Sequence, residues 1–361
     1  MKKLFLVLLI AAVPGLFGSA QEYRYVEATD LTILGKMFPD TPHPYHRLDT
    51  ARYKGFTAAE TSRVLESAGI IVAFKTDSPS IRVKAEYGYI YKGGSTTGFS
   101  IKGYDLYIRK GDRWLWAAAG MPKEDDNSDP VQLISHMDGS LHECLLYLPA
   151  RAEVLSVQVG VEEGRSLDPL ENPFRHRIGV FGSSFTHGVS TSRSGMAWPS
   201  ILTRETGIQM LNLGLSGRCK LQPAFAAALA EAPDVDAFIF DSFSNPTIEE
   251  IEARLFPFIE TMQAAHPGKP LIFLQTIYRE KRNFNTLEDQ QEQDRIVAAG
   301  RLMKQACKKY KDVYYITSTN ATSPERDTSV DGTHPDDYGY TLWAHSVKKP
   351  ILRILKKYGI K

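Results

Sequence analysis

The chain has 361 residues, of which 43% are hydrophobic and 24% are charged, and its formal net charge is +1. A nearly neutral chain gives no electrostatic reason to expect nucleic acid or an anionic membrane as a partner. The length is sufficient for two domains. Three widely spaced cysteines, Cys144, Cys219 and Cys307, do not form a disulfide framework, and we expect mostly buried thiols.

The first 20 residues have the pattern of a secretory signal peptide. Lys2 and Lys3 precede an apolar run at residues 4–13, and small residues follow at 18–20. The run is too short to span a bilayer, so we expect cleavage before Gln21, with an N-terminal membrane anchor as the alternative. Without Lys2 and Lys3, 41 basic residues face 42 acidic ones, a net charge of −1. The sequence therefore predicts an exported protein, periplasmic or secreted, without membrane insertion.

Residues 21–170 are predicted to form an all-β sandwich of jelly-roll-like type. This region consists of short segments bounded by turn residues, and several of them alternate apolar with polar residues. Few stretches between them have apolar residues at helical spacing. The predicted strands are 69–74, 80–87, 104–109, 114–116, 144–148 and 152–159. The segment 164–174 carries two prolines and a glycine, which indicates a domain boundary.

Residues 171–361 are predicted to form an α/β domain. The predicted strands are 177–181, 209–213, 237–240, 270–276 and 313–317. The predicted helices are 223–231, 247–265, 288–310 and 337–358, the last with a possible kink at Pro350. Continuous apolar strands between amphipathic helices indicate a parallel sheet covered on both faces. We therefore expect a flavodoxin-like, three-layer α/β/α fold with five parallel strands.

Four polar or glycine positions follow the predicted strands. Ser184 follows the first strand, Gly217 the second, Asn245 the third and His334 the fifth. Sites in open α/β sheets form at the carboxyl ends of the strands, so we expect these four residues on one rim.

Ser184, His334 and Asp331 supply the three parts of an activated hydroxyl nucleophile. His334 would accept the proton of Ser184, and Asp331 lies three residues earlier, where one helical or 3₁₀ turn would bring it to the imidazole. The alternatives are a helix N-cap for Ser184 and an ordinary loop histidine for His334.

Four sequence blocks resemble the SGNH hydrolases, also called GDSL-type esterases or lipases, over about residues 173–361. The blocks are Gly182-Ser-Ser-Phe185, Asn212-Leu-Gly-Leu-Ser-Gly217, Asp241-Ser-Phe-Ser-Asn-Pro246 and Asp331-Gly-Thr-His334. The resemblance implies that Ser184 is the nucleophile of a Ser–His–Asp triad. It also implies an oxyanion hole formed by the backbone N–H groups of Ser184 and Gly217 and by the Asn245 amide.

The chain departs from the family pattern at two positions. Ser183 replaces the usual aspartate beside the nucleophile, which is not a member of the triad. Ser244 replaces the residue before the asparagine of the third block, and no glycine precedes it, so the placement of Asn245 becomes a question for the structure.

Further residues are predicted to reach the rim. Arg218, Gln275, Tyr278 and Arg279 are candidate substrate contacts, with ordinary loop polar residues as the alternative. His187, three residues after Ser184, is expected one turn into the first helix rather than as the catalytic base.

The sequence thus predicts an exported serine esterase that uses neither metal nor cofactor. The resemblance to exported, carbohydrate-linked members of the family favours a small acyl ester, such as acetyl, on a carbohydrate as the substrate. Other small esters, including lipid or aryl esters, are the enzymatic alternative. A glycan-binding protein with weakened catalysis and a peptidase or thioesterase remain open.

Overall fold

The computed structural model describes residues 21–123 and 129–361 of the chain. The predicted signal peptide, residues 1–20, lies outside the described residues. Among the described helices, none combines the length and the apolarity needed to cross a membrane.

The described residues of the N-terminal part form ten strands in two antiparallel sheets. They are β1 (Tyr23–Glu27), β2 (Thr32–Leu34), β3 (Ile71–Thr76), β4 (Ile81–Ile90), β5 (Tyr104–Lys110), β6 (Arg113–Gly120), β7 (Val131–Ile134), β8 (His142–Tyr147), β9 (Ala152–Glu162) and β10 (Leu167–Pro169). One sheet has the order β1-β9-β4-β7, and the other has the order β10-β3-β8-β5-β6, with β2 paired to β3.

Alternating side chains explain why the two sheets pack face to face. Along β4, Ile81 and Val83 are buried, whereas Arg82 is not. Val83 shares one hydrophobic core with Phe74 and Leu146 of the other sheet. The predicted β-domain is therefore confirmed, as is its alternating pattern.

Two helices in this part were not predicted. Helix α1 (Ala58–Leu65) begins with a capping box in which Thr57 and Glu60 exchange hydrogen bonds, a signal that the sequence does contain. Helix α2 (Gly98–Lys102) follows a glycine-containing segment and is capped by Thr97, whose side chain accepts the Ser100 N–H.

The C-terminal part is built on a parallel five-stranded sheet. Its strands are β11 (Arg175–Gly182), β12 (Ile208–Gly214), β13 (Ala237–Asp241), β14 (Leu271–Leu274) and β15 (Val313–Ile316). They have the order β12-β11-β13-β14-β15, with every pair parallel. Each predicted strand is present, and the predicted α/β class is confirmed.

Helices cover both faces of this sheet. They are α3 (Ser184–His187), α4 (Trp198–Thr206), α5 (Pro223–Ala230), α6 (Ile248–Ala265), α7 (Thr286–Lys309) and α8 (Asp337–Lys356). One face packs on Phe225, Leu255 and Met303 of α5, α6 and α7. The other packs on Ile201 of α4 and Trp343 of α8. Helix α4 was missed by the sequence analysis, and α8 contains Pro350 within its span.

The two parts of the chain share a hydrophobic core. Residues of the N-terminal part, including Met37, Phe38 and Val64, pack in the same cluster as Phe181 of β11. The Arg177 side chain donates hydrogen bonds to the carbonyl oxygens of residues 36 and 37, at 3.2 and 3.3 Å. This packing places the segment that carries Met37 and Phe38 beside the start of the first parallel strand.

The three cysteines are free thiols. Cys144 and Cys219 are buried as expected, whereas Cys307 is exposed on the outer side of α7.

Candidate active site

Ser184 is the first residue of α3, directly after the first parallel strand. Ser183 caps this short helix by accepting a hydrogen bond from the Phe185 N–H at 3.2 Å. Gly182 is required before the turn, because a Cβ there would lie 2.1 Å from the Thr186 hydroxyl oxygen. The sharp exit from β11 therefore presents Ser184 at the carboxyl edge of the sheet, with 5% of the residue exposed.

Asp241, the last residue of β13, holds this turn in place. Its Oδ2 accepts hydrogen bonds from the Ser183 N–H at 3.1 Å, the Ser183 hydroxyl at 2.8 Å and the Thr186 hydroxyl at 2.9 Å. Burial raises the pKa of Asp241 to about 6, although these hydrogen bonds oppose the shift. The carboxylate that supports the nucleophile thus comes from the neighbouring strand, and Ser183 serves as its hydrogen-bond partner.

Ser184, His334 and Asp331 lie together in one hydrogen-bonded chain. His334 Nε2 is 3.0 Å from Ser184 Oγ, and His334 Nδ1 is 2.8 Å from Asp331 Oδ2. The predicted helical or 3₁₀ turn between Asp331 and His334 is absent. Instead, Asp331 Oδ1 accepts the N–H groups of Thr333 and His334 at 3.0 and 2.8 Å, which closes a tight loop before α8.

The electrostatics suit His334 to act as a base. Burial lowers the pKa of His334, Asp331 opposes this, and the charges of Arg279 and Arg151 lower it further. Burial would raise the pKa of Asp331, but its hydrogen bonds to His334 lower it. At neutral pH the imidazole is therefore neutral, with Nδ1–H donating to the carboxylate and Nε2 free to accept the serine proton.

The two predicted backbone donors of the oxyanion hole have no acceptor among the described residues. In the turn after β12, the N–H groups of Leu215 and Arg218 bond to carbonyl oxygens, at 2.7 and 2.9 Å, whereas that of Gly217 has no partner within residues 21–123 and 129–361. Gly217 has a φ of +70°, a conformation that favours glycine at this turn. The Ser184 N–H, at the first position of α3, also has no acceptor in the part of the chain that the structure describes.

Asn245 supplies the third predicted donor, and its orientation is fixed by the protein. Its Oδ1 accepts the Cys219 N–H at 3.3 Å, which leaves the amide Nδ2 with no acceptor among the described residues. Ser244 is buried, and its hydroxyl lies 2.6 Å from the Thr276 hydroxyl. The side chains of Arg279 and Arg295 donate to the Ser244 carbonyl oxygen at 2.7 and 3.2 Å. The altered third block is therefore anchored through both the hydroxyl and the carbonyl oxygen of Ser244.

The other candidate substrate contacts have different surroundings. Arg218 is exposed, and Gln275 is half-buried just after β14. Tyr278 donates to Asn283 at 3.0 Å and accepts from Arg326 at 3.0 Å. Arg279 is 8% exposed and forms an ion pair with Glu292 at 2.8 Å, so we assign it to supporting the Ser244 segment.

Two cavities lie beside the sandwich rather than at the triad. One, of about 550 Å³, is lined by Trp114 and Arg204 among others, and a second, of about 470 Å³, by Phe99 and Trp116. Neither cavity is lined by Ser184 or His334. The candidate active site is therefore identified from the hydrogen-bonding groups that converge on Ser184, and not from these cavities. No group of three or more metal-binding side chains occurs within residues 21–123 and 129–361.

Two family models match the chain in succession. Residues 175–353 match the GDSL-like lipase/acylhydrolase family, and residues 23–167 match a model described as the N-terminus of SGNH-hydrolase-type esterases. No curated protein matches the chain by sequence.

Solved structures resemble the chain over almost its whole length. The structure of a candidate GDSL-like lipase from Bacteroides ovatus is 35% identical, with a TM-score of 0.89, and the match covers 93% of this chain and 98% of that one. The salicylyl-acyltransferase SsfX3 from a tetracycline biosynthetic pathway is 19% identical, with a TM-score of 0.70 over 95% of this chain and 100% of that one. A family two carbohydrate esterase from Cellvibrio japonicus is 12% identical, with a TM-score of 0.61 over 93% and 99%. The resemblance inferred from four sequence blocks is confirmed, and the chain belongs to the GDSL-like lipase/acylhydrolase family of SGNH serine esterases.

Proposed function

We propose that the protein removes a small acyl group, acetyl, from a hydroxyl group of a carbohydrate through a covalent acyl-enzyme. One observation carries the chemistry: the hydrogen-bonded chain of Ser184, His334 and Asp331 occurs with three donors, on Ser184, Gly217 and Asn245, that have no acceptor among the described residues. This combination provides a nucleophile, a base and an oxyanion hole.

The first half of the reaction forms the acyl-enzyme. Ser184 Oγ attacks the ester carbonyl carbon while its proton passes to His334 Nε2, and the carbonyl oxygen becomes an oxyanion held by the three donors. Asp331 stabilises the resulting imidazolium through Nδ1. When the tetrahedral intermediate collapses, the C–O bond to the sugar breaks and the leaving oxygen takes the proton from Nε2.

The second half returns the enzyme to its starting state. Water takes the position of the sugar alcohol, gives its proton to His334 Nε2 and attacks the acyl carbon. Collapse of this second intermediate breaks the bond to Ser184 Oγ, which recovers the proton from His334. Acetate and the free serine are the products, and no redox step or cofactor is required.

The two-part architecture of the chain supports a carbohydrate as the substrate. The similarity to a family two carbohydrate esterase covers both the sandwich and the α/β part.

The predicted export would place such an enzyme where polysaccharides are found, and we propose that the mature protein begins at residue 21. Intact-mass measurement of protein recovered from the native secretion route tests this, since a mass that retains residues 1–20 would contradict the cleavage.

Release of acetate from a panel of acetylated glycans, compared with aryl acetates and longer acyl esters, tests the proposed function. We expect turnover of at least one acetylated glycan by the wild type and none by Ser184→Ala. Hydrolysis of aryl or lipid esters alone would overturn the carbohydrate assignment. Glycan binding without turnover would overturn the esterase assignment, and acyl transfer to an added alcohol in preference to water would reassign the protein as an acyltransferase.

A further inference from the structure

His187, at the end of α3, is buried where the N-terminal part meets the nucleophile turn. Its Nδ1 accepts the Ser216 N–H at 3.2 Å. Its Nε2 lies 2.9 Å from Glu66 Oε2 and 3.0 Å from the Ala150 carbonyl oxygen. Because Nδ1 accepts a backbone N–H, the imidazole proton resides on Nε2, which donates to these two oxygens. The contacts therefore fix both the tautomer and the orientation of the ring.

Glu66 is a fully buried carboxylate that follows α1. Arg63 pairs with its Oε1, and Arg151 Nε donates to its Oε2 at 3.0 Å. Burial alone would raise the pKa of Glu66, but His187, Arg151 and Arg63 lower it to about 2. The carboxylate is therefore ionised, and it forms a rigid acceptor for the His187 ring.

His187 cannot serve as the catalytic base, because both of its nitrogens are already engaged and its low pKa makes it a weak proton acceptor. Burial lowers the pKa of His187 to about 3, with Glu66 opposing the shift and the charges of Arg47 and Arg151 favouring it. The contacts of its ring nitrogens are to Ser216, Glu66, the carbonyl oxygen of residue 150 and, at 3.5 Å, the guanidinium of Arg47; none is to Ser184. Any effect on catalysis must therefore pass through the backbone that it holds.

That backbone carries one of the oxyanion donors. Ser216 immediately precedes Gly217 in the turn, and Leu215 is bonded to the carbonyl oxygen of Gly182 at 2.7 Å, just before the nucleophile. The Arg218 N–H closes the turn onto Leu215 at 2.9 Å. With the N–H groups of residues 215, 216 and 218 all paired, the direction of the Gly217 N–H is set by its anchored neighbours.

We propose that His187 is a positioning residue for the oxyanion hole: its Nδ1 holds the Ser216 N–H, and buried Glu66 holds the imidazole, so that the Gly217 N–H points at the reacting carbonyl oxygen. This inference rests on the proposed esterase function. It makes the N-terminal part a contributor to the active-site geometry through Glu66, at a point remote from the substrate.

Two substitutions of His187 separate the hydrogen bond to Ser216 from the contact with Glu66. His187→Asn places an amide oxygen near the position of Nδ1, so an acceptor for Ser216 is kept while the reach to Glu66 is lost. His187→Gln places an amide nitrogen near the position of Nε2, so a donor for Glu66 is kept while the acceptor for Ser216 is lost. His266→Gln is the matched control, because His266 is also buried but bonds the carbonyl oxygen of Leu229.

Steady-state kinetics on folded variants give the first readout. For His187→Gln we expect kcat to fall roughly 10- to 100-fold with little change in KM, because a displaced donor acts on the transition state. His187→Asn should recover most of kcat, and His266→Gln should resemble the wild type. Unchanged kcat in folded His187→Gln, or equal losses in His187→Gln and His187→Asn that follow their melting temperatures, would overturn the proposal.

A nitrogen-15 NMR measurement on the wild type gives a second readout that needs neither activity nor a folded variant. We expect His187 Nδ1 to show the shift of an unprotonated, hydrogen-bonded nitrogen and to keep it from neutral pH to mildly acidic pH. A protonated Nδ1, or titration near the ordinary histidine pKa, would overturn the proposal. Absence of ester hydrolysis by the wild type would refute the esterase function alone, and the NMR result would still decide whether His187 holds Ser216.

Discussion

At the scale of single residues, the site depends on how each polar group is oriented. Asp331 uses one carboxylate oxygen to close its own loop and the other to hold His334 Nδ1, so the imidazole presents Nε2 to Ser184. Asn245 is oriented in a similar way, since its carbonyl oxygen is held by Cys219 and its amide nitrogen is left to donate. Pre-oriented groups of this kind lower the cost of reorganisation in the transition state.

Removal of the Asn245 amide tests the oxyanion hole. We expect Asn245→Ala to lower kcat roughly 10²- to 10³-fold, or about 3–4 kcal/mol of transition-state stabilisation, with KM nearly unchanged. Ser244→Ala, which keeps the amide, is the control and should lose far less. A rise in KM without loss of kcat would show that Asn245 binds the ground state instead.

The pH dependence of kcat/KM tests His334 as the base. Burial lowers the pKa of His334 in the folded protein, so its neutral, active form should persist below the ordinary histidine pKa of about 6.5. We expect activity to be full at neutral pH and to fall only as the pH drops below that value. An acidic limb centred above pH 7, measured with an aryl ester, would contradict this assignment.

At the scale of secondary-structure elements, the parallel sheet was predictable and the supports of the site were not. Strands β11 to β15 are nearly continuous apolar runs, which is why the sequence predicts each of them. Helix α4 escaped prediction because the burial of its apolar face depends on packing against α8, which local patterns do not report. The support of Ser183 by Asp241 depends on the pairing of β11 with β13, which local patterns do not report.

Replacing Asp241 tests the link between β13 and the nucleophile turn. Because the pKa of Asp241 is raised to about 6, its contribution to the free energy of unfolding is fully present below the unfolded pKa and is lost as the pH rises through 6. The difference in the free energy of unfolding between the wild type and Asp241→Asn should therefore change in favour of the wild type as the pH falls from 7 to 4, by about 3 kcal/mol.

Urea unfolding at several pH values measures this change. Asp241→Ala is the contrasting variant, because it leaves the buried hydroxyl groups of Ser183 and Thr186 without their acceptor, and it should be destabilised at every pH. An identical pH dependence in the wild type and Asp241→Asn would contradict the role assigned to Asp241.

At the scale of the whole molecule, the sandwich and the α/β part are joined by a common core and by a buried ion-pair cluster. Met37, Phe38 and Val64 complete the hydrophobic cluster around Phe181, and Glu66 reaches His187. Sequence patterns predicted two separate units, because the segment that carries Met37 and Phe38 has no regular period. The packing between the two parts depends on tertiary contacts, which local sequence patterns do not report.

The shared core predicts that the two parts unfold together. Phe38→Ala should lower the free energy of unfolding by about 3–5 kcal/mol and shift a single transition, because it leaves a cavity between the parts. Fluorescence and circular dichroism should report coincident transitions in both proteins. Two separate transitions in the wild type would contradict a common core.

Labelling with a fluorophosphonate probe, followed by peptide mapping, tests the central claim most directly. The account predicts one covalent adduct per chain, located on Ser184, absent in Ser184→Ala and formed far more slowly in His334→Ala. Correctly folded wild-type protein that remains unlabelled, or that carries its adduct on another residue, would contradict it.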